Sequence, residues 1–185
     1  MTSEQVVWFL SFLSLISNAS ILYLVLMFLL SRFGILSRSW KSILSFFQKR
    51  ALLCAFIVSL SATLGSLYLS EVAGFEPCKL CWFQRIFMYP LVIITAIAFR
   101  KQHNKIWQYV LPLSIMGLVI AGYHYYIQIS PVAIIPCSVS GYAASCTERF
   151  VTHFGYITIP WMAASAFLLI SLVISLLSPL RKYYS

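Results

Sequence analysis

Charge is what this chain has least of. Only 9% of its 185 residues are Asp, Glu, Lys or Arg, 61% are hydrophobic, and mean hydropathy is +0.90. Soluble domains carry roughly 25% charged residues, so the composition excludes a water-soluble enzyme and leaves an integral membrane protein. Acidic residues are the scarcest, four against 13 Lys and Arg. The long apolar runs hold no interior carboxylate, which removes the feature a proton-relaying transporter would need. The first apolar run lacks a basic leader, since Met1-Thr2-Ser3-Glu4-Gln5 precedes it. It also exceeds the roughly 7–15 residues of a signal-peptide core, and no small-x-small cleavage site follows it, so it is expected to remain as an anchor helix. No internal repeat or low-complexity tract occurs.

What is present is a set of apolar runs. A membrane span needs about 20 mostly apolar residues, and residues 6–30, 51–70, 82–99, 107–127 and 160–178 meet that need, predicting five spans. The net charge of +9 is no sign of nucleic acid, because the basic residues cluster at the ends of the runs. One set of gaps holds Arg32, Arg38, Lys41, Lys49, Arg50, Arg100, Lys101, Lys105, Arg181 and Lys182; the other holds Lys79, Arg85 and Arg149. The positive-inside rule puts the first set in the cytoplasm. The amino terminus and both cysteine-bearing gaps then face outward, and the carboxyl terminus faces inward.

Between the first two runs, Leu36, Trp40, Ile43 and Phe47 recur at helical spacing while Arg38, Lys41 and Lys49 fall largely off that stripe. Such a segment can lie in the lipid interface, or it can extend the second span; Gly34 marks the break before it. Residues 71–81 form a tight outer loop with Gly74 and Pro77. Residues 128–159 form the largest outer segment, broken by Pro131, Pro136, Gly141 and Gly155.

Four of the five cysteines fall in these outer gaps. Cys78-Lys79-Leu80-Cys81 closes a small ring that suits disulfide geometry. It lies at the start of a membrane helix, where the dipole, Lys79 and Arg85 favour a thiolate; Cys81, nearer the helix, is the expected acidic thiol. A structural disulfide or half of a zinc site is the plain alternative. Arg85 follows Cys81 by four residues and so shares its helix face. An arginine in the hydrocarbon costs several kcal/mol, about 2.5–3.5 on insertion scales, which points to a functional anion or polar head group beside it; snorkelling to the interface is the alternative. His124 falls at a similar depth on the next span, where its ring and the guanidinium can bracket the oxygens of a lipid-soluble acceptor. Cys137 and Cys146, eight residues between them, either staple their loop, worth roughly 3 kcal/mol, or exchange with the first pair. Cys54, toward the cytoplasmic side, is expected to be a packing residue.

Pro77-Cys78-Lys79-Leu80-Cys81-Trp82-Phe83-Gln84-Arg85 resembles the signature of the disulfide bond formation protein B/C family (DsbB and BdbC). His124, Gln128, Pro131, Pro136-Cys137, Cys146-Thr147-Glu148-Arg149 and the stretch from Gly155 to Pro160-Trp161 agree with it, and the likeness covers residues 51–178. The resemblance implies a four-helix bundle that passes electrons from a secreted thioredoxin-fold oxidase (DsbA-like) to membrane quinone, ubiquinone or menaquinone. Matched residue by residue, Cys78 and Cys81 are the quinone-proximal pair, Cys137 receives the partner, and Cys146 is its mate. Arg85 lies beside the quinone and His124 near it. Two features depart from the pattern: the additional helix 6–30 with its basic linker, and the short Cys137–Cys146 spacing, which is closer to the C-type members.

The sequence therefore predicts an all-α integral membrane protein, a four-helix transmembrane bundle plus an extra N-terminal transmembrane helix. Its parts are an anchor (1–30), a basic amphipathic linker (31–50), a redox bundle (51–178) and a cytoplasmic tail (179–185). The expected function is thiol:quinone oxidoreduction at the bacterial inner membrane, with a DsbA-like partner and the quinone pool and without nucleic acid. The rivals are a four-cysteine structural zinc site in a non-enzymatic membrane protein, and a transporter or channel subunit with two structural disulfides.

Overall fold

The computed structural model describes residues 3–33, 37–101, 104–130, 145–147, 149 and 151–176. Cys137, Leu36, Gly34, Pro131, Pro136, Gly141, Glu148 and the tail 179–185 lie outside the described residues. Among the described residues five α-helices follow one another: α1 (Ser3–Arg32), α2 (Ser37–Leu67), α3 (Lys79–Lys101), α4 (Trp107–Ile129) and α5 (Ile159–Ser175). A π-helical turn, Tyr68–Val72, ends α2, and a 3₁₀ turn, Asn104–Ile106, leads into α4. Helices are the expected answer for segments this apolar, since in lipid every backbone polar group must be paired within the protein.

The expectation of a four-helix bundle plus one extra span, five in all, is not met. Among the described residues four helices are long and apolar enough to cross a membrane: Glu4–Ser31, Arg50–Val72, Lys79–Lys101 and Trp107–Ile129. The fifth apolar helix, α5, has 17 residues. It rises about 26 Å, short of a hydrocarbon core of about 30 Å. The apolar run at 160–178 is longer than the helix made from it, because the described helix stops at Ser175. The basic segment after residue 36 is also not set apart from the second span: α2 is continuous from Ser37 to Leu67.

The core lies where α2, α3, α4 and α5 meet, around Leu91, Ala98, Val110, Ala121, Phe167, Ile170 and Ile174. The α4–α5 contact is the most extensive, followed by α2–α3 and α3–α4. Outward-facing positions are large and apolar, among them Phe9, Phe12 and Leu22 on α1 and Ile86, Ile93 and Ile97 on α3. That is the pattern for a lipid-facing surface, where helix association depends on close packing and a few polar contacts. Ser171 donates to Ser114 Oγ at 2.9 Å across α4–α5, and Ser59 meets Thr95 at 3.4 Å across α2–α3. Cys54 packs with Leu24, Ala51 and Val173, in a different cluster from Cys78, Cys81 and Cys146.

Gly117 sets the α4–α5 approach, since a Cβ there would collide with the fully buried Phe167 ring. Gly117→Ala is expected to lower the unfolding midpoint of the detergent-solubilised protein, an overpacking cost of about 1–3 kcal/mol. Gly122→Ala, with nothing within 4 Å of the added carbon, should leave the midpoint unchanged or raise it slightly.

Candidate functional site

The site begins at the amino-terminal end of α3. Gly74, at φ 71°, turns the chain after the π-turn, and Cys78 is the residue just before the first helical position, Lys79. Cys-x-x-Cys spacing therefore puts one cysteine at the N-cap and the other at the third helical residue. The Cys81 backbone N–H reaches Cys78 Sγ at 3.4 Å, and the Trp82 N–H donates to the Cys78 carbonyl at 3.1 Å. A sulfur stands where a serine or aspartate oxygen usually caps a helix.

Both thiols are free, and their sulfurs are in hydrogen-bond contact at 3.2 Å. From α4, His124 Nε2 lies 3.6 Å from the same sulfur, and its Nδ1 accepts from Gln84 Nε2 at 3.0 Å. The Gln84 bond leaves the ring proton on Nε2, directed at Cys78. The hydrogen bond from the Cys81 thiol, aided by His124, holds the Cys78 thiol well below its ordinary range despite burial. The acidic thiol was expected at Cys81; the geometry puts it at Cys78. The helix starts one residue after Cys78, so that sulfur collects the cap N–H and both side-chain donors.

Arg85 is buried and does not snorkel. Its Nε donates to Ser66 Oγ at 3.0 Å and a terminal nitrogen donates to the Ser66 carbonyl at 2.9 Å, just before the π-turn of α2. The guanidinium carbon sits 5.2 Å from the Trp82 ring centroid, a cation–π arrangement. Arg85 is thus held at depth by two neighbours while it borders the cavity below the cysteines.

The second loop returns to the same place. Arg149 donates to the Gln128 carbonyl at the last turn of α4 through Nε, at 3.0 Å, and through a terminal nitrogen. Cys146 is disulfide-bonded and buried, and it forms one small cluster with Cys78 and Ile127, against which Leu80, Cys81 and Tyr123 pack. Cys137, expected to receive a partner, lies outside the described residues.

Cys78, Cys81, Gln84, Arg85, His124 and Gln128 border a cavity of about 290 Å³ whose other walls, on α1, α2 and α5, are mostly apolar side chains with serines among them. The sequence reading brought Cys78, Cys81, Arg85 and His124 to this region, and the structure gathers all four around the cavity. It missed Gln84 as the partner of His124 and Ser66 as the anchor of Arg85. Gln84 carried a usable signal, three residues after Cys81 on the same helix face; Ser66 carried none. The ligand atoms of Cys78, Cys81 and His124 lie within 4.8 Å of one another, a donor set able to hold a thiophilic metal. The four-cysteine zinc alternative does not form here, because Cys146 is committed to a disulfide.

These features define a multi-pass membrane redox protein built around a dithiol pair. Residues 48–177 match the family model described as disulfide bond formation protein DsbB. The disulfide bond formation protein C of Bacillus subtilis strain 168 is 46% identical over 128 residues, covering 68% of this chain and 91% of the relative. A probable disulfide formation protein C of Bacillus cereus is 45% identical over 127 residues (67% and 88%). A probable disulfide formation protein of Metapseudomonas resinovorans is 40% identical over 125 residues (66% and 85%). No solved structure matches. This chain belongs to the disulfide bond formation protein B/C family, as the cysteine motifs implied, and that membership makes it an oxidoreductase-type protein.

Proposed function

We propose that this protein is a thiol:quinone oxidoreductase that reoxidises a secreted, DsbA-like thioredoxin-fold oxidase and passes the electrons to the quinone of the bacterial inner membrane. One observation carries the reading: a free thiol pair with a preferred thiolate borders a membrane cavity, and a disulfide-bonded cysteine is buried against that pair. The cavity suits a molecule with a polar ring and a hydrocarbon tail, since Arg85, His124 and Gln84 border it together and the remaining walls are mostly apolar, with serines among them. The positive-inside bias supports an outward-facing cysteine end.

The sulfur chemistry balances as follows. A partner thiolate attacks Cys137 in a Cys137–Cys146 disulfide and releases Cys146; the partner's second thiol then displaces Cys137 and leaves the partner oxidised. Cys146 attacks Cys78 of an oxidised Cys78–Cys81 pair, which it is buried against, and frees the Cys81 sulfur. Cys137 closes back on Cys146 and releases Cys78. An acidic thiol leaves faster, so the donors around Cys78 Sγ promote this last step. The chain ends with two electrons on Cys78 and Cys81, the proton on Cys81 and the negative charge on Cys78. Quinone, when bound, supplies a two-electron, two-proton acceptor. Arg85 and His124 would hold its polar end, with His124 as a proton carrier at Nε2.

The test is anaerobic mixing of purified protein, a reduced thioredoxin-fold oxidase and either ubiquinone or menaquinone. Stoichiometric quinone reduction is expected; none with either quinone, with the protein folded, refutes the reading. Arg85→Ala in the same assay should cut kcat/KM for quinone about tenfold or more, equivalent to at least about 1.4 kcal/mol, while leaving exchange with the partner near wild type. Equal loss in both half-reactions would make Arg85 a structural residue.

A further inference from the structure

The family match starts at residue 48, so α1 lies outside it, yet α1 is a wall of the acceptor cavity. Leu10, Leu13, Ser14, Ser17 and Ser20 all line it, spaced along one helix face over about 15 Å. The opposite walls come from α2 and α5, the two helices against which α1 packs. Its position is set by specific contacts. Ser11 Oγ meets His153 Nδ1 at 2.9 Å, with Trp8 against the same imidazole at 4.5 Å between centroids. Ser17 donates to the Ser165 carbonyl at 3.2 Å, and Ser165 donates to Asn18 Oδ1 at 2.8 Å. Gly65 of α2 lets Leu10 close in, since a Cβ there would lie 2.7 Å from Leu10 Cδ2.

Among the described residues, one polar group on this face has no hydrogen-bond partner. Ser11 and Ser20 return their hydroxyls to the carbonyls four residues back, and Ser17 bonds across to α5. Ser14, only 5% exposed, has no hydrogen bond for its Oγ and lines the cavity. A buried hydroxyl left unpaired costs about 1–3 kcal/mol, and a polar atom of a cavity ligand would remove that cost.

We propose that α1 closes the cavity between α2 and α5 and contributes directly to binding a tailed quinone. A carbonyl oxygen of the acceptor's ring then takes a hydrogen bond from Ser14, and the hydrocarbon tail runs on past Ser17 and Ser20. A site with this wall selects for tail as well as for ring. The proposal rests on the thiol:quinone reading of the same cavity and adds a specificity role for a helix outside the matched family region.

The experiment uses the full chain in lipid nanodiscs. Ubiquinone and menaquinone carrying a photoreactive diazirine on a polyisoprenyl tail are crosslinked to the wild type and mapped by peptide mass spectrometry. Binding of the tailed quinones and of their tail-less rings is measured by tryptophan quenching in wild type, Ser14→Ala and Ser14→Phe. Crosslinks between Leu10 and Ser20 are expected, with an affinity loss of about tenfold or more in Ser14→Phe and a smaller loss, shared by tailed and tail-less quinones, in Ser14→Ala. Crosslinks confined to α2–α5 or lipid, or wild-type affinity in both Ser14 variants, would overturn the role of α1 while leaving quinone use intact. If no quinone binds the wild type, both this inference and the underlying function fall. The wild-type crosslink needs no variant, so misfolding of Ser14→Phe cannot mask the result.

Discussion

In Cys146→Ser, a mixed disulfide between Cys137 and the partner oxidase should accumulate, and in Cys137→Ser it should not. Cys146 is disulfide-bonded and buried against Cys78, a poor position for a soluble partner to reach and a good one for passing electrons inward. Without Cys146, Cys137 is a lone thiolate that attacks the oxidised partner's disulfide and releases the partner's second thiol, and with no Cys146 to resolve the mixed species from this side only that partner thiol can reverse it. Coexpression with a secreted thioredoxin-fold oxidase and non-reducing gels would reveal it as a band that reductant abolishes. The contrast should be close to all-or-none. Equal trapping by both variants would show that either sulfur meets the partner. Trapping by neither would favour a loop staple.

His124→Ala should move the titration of Cys78 upward and make the protein sensitive to mild acid. In the wild type, donors from Cys81 and His124 hold the Cys78 thiol low, so the thiolate persists at neutral pH and is lost only as pH falls through the lowered value. A free cysteine titrates near 8.5. Losing the His124 donor shifts the midpoint toward that value, and the remaining Cys81 donor keeps it lower. Thiolate absorbance of the reduced protein, titrated in wild type and variant, reads the shift directly. Turnover should fall more in mildly acid than in mildly alkaline buffer, and raising the pH should restore part of it. His124→Gln, which keeps an N–H donor, should recover more thiolate than His124→Ala. An unchanged thiolate midpoint in His124→Ala would mean that Cys81 and the helix end alone stabilise the charge.

Local patterns were legible in the chain. Apolar runs marked the four membrane-length helices because backbone groups in lipid can only pair along the helix. The Cys-x-x-Cys spacing and Arg85 four residues on defined one face of α3, since both lie within about one turn. His124 could be set at the right depth by counting residues along α4. Run length misled where it stood in for helix length: the apolar stretch at 160–178 predicted a fifth span, but α5 ends at Ser175 and is too short. The choice of Cys78 over Cys81 as thiolate turned on the hydrogen bond between the two sulfurs and on a histidine 46 residues away, neither of which a dipole argument along one helix could supply. Only the tertiary structure decided which groups meet across helices: Gln84 with His124, Arg85 with Ser66, Cys146 with Cys78, and α1 with the cavity. Each joins segments far apart in the chain, and the interactions that choose them, close packing and a few polar contacts, leave no periodic trace in either segment alone. The sequence by itself determined the chemistry available at the membrane face; the packing of five helices determined which sulfur holds the charge and what walls the cavity beside it.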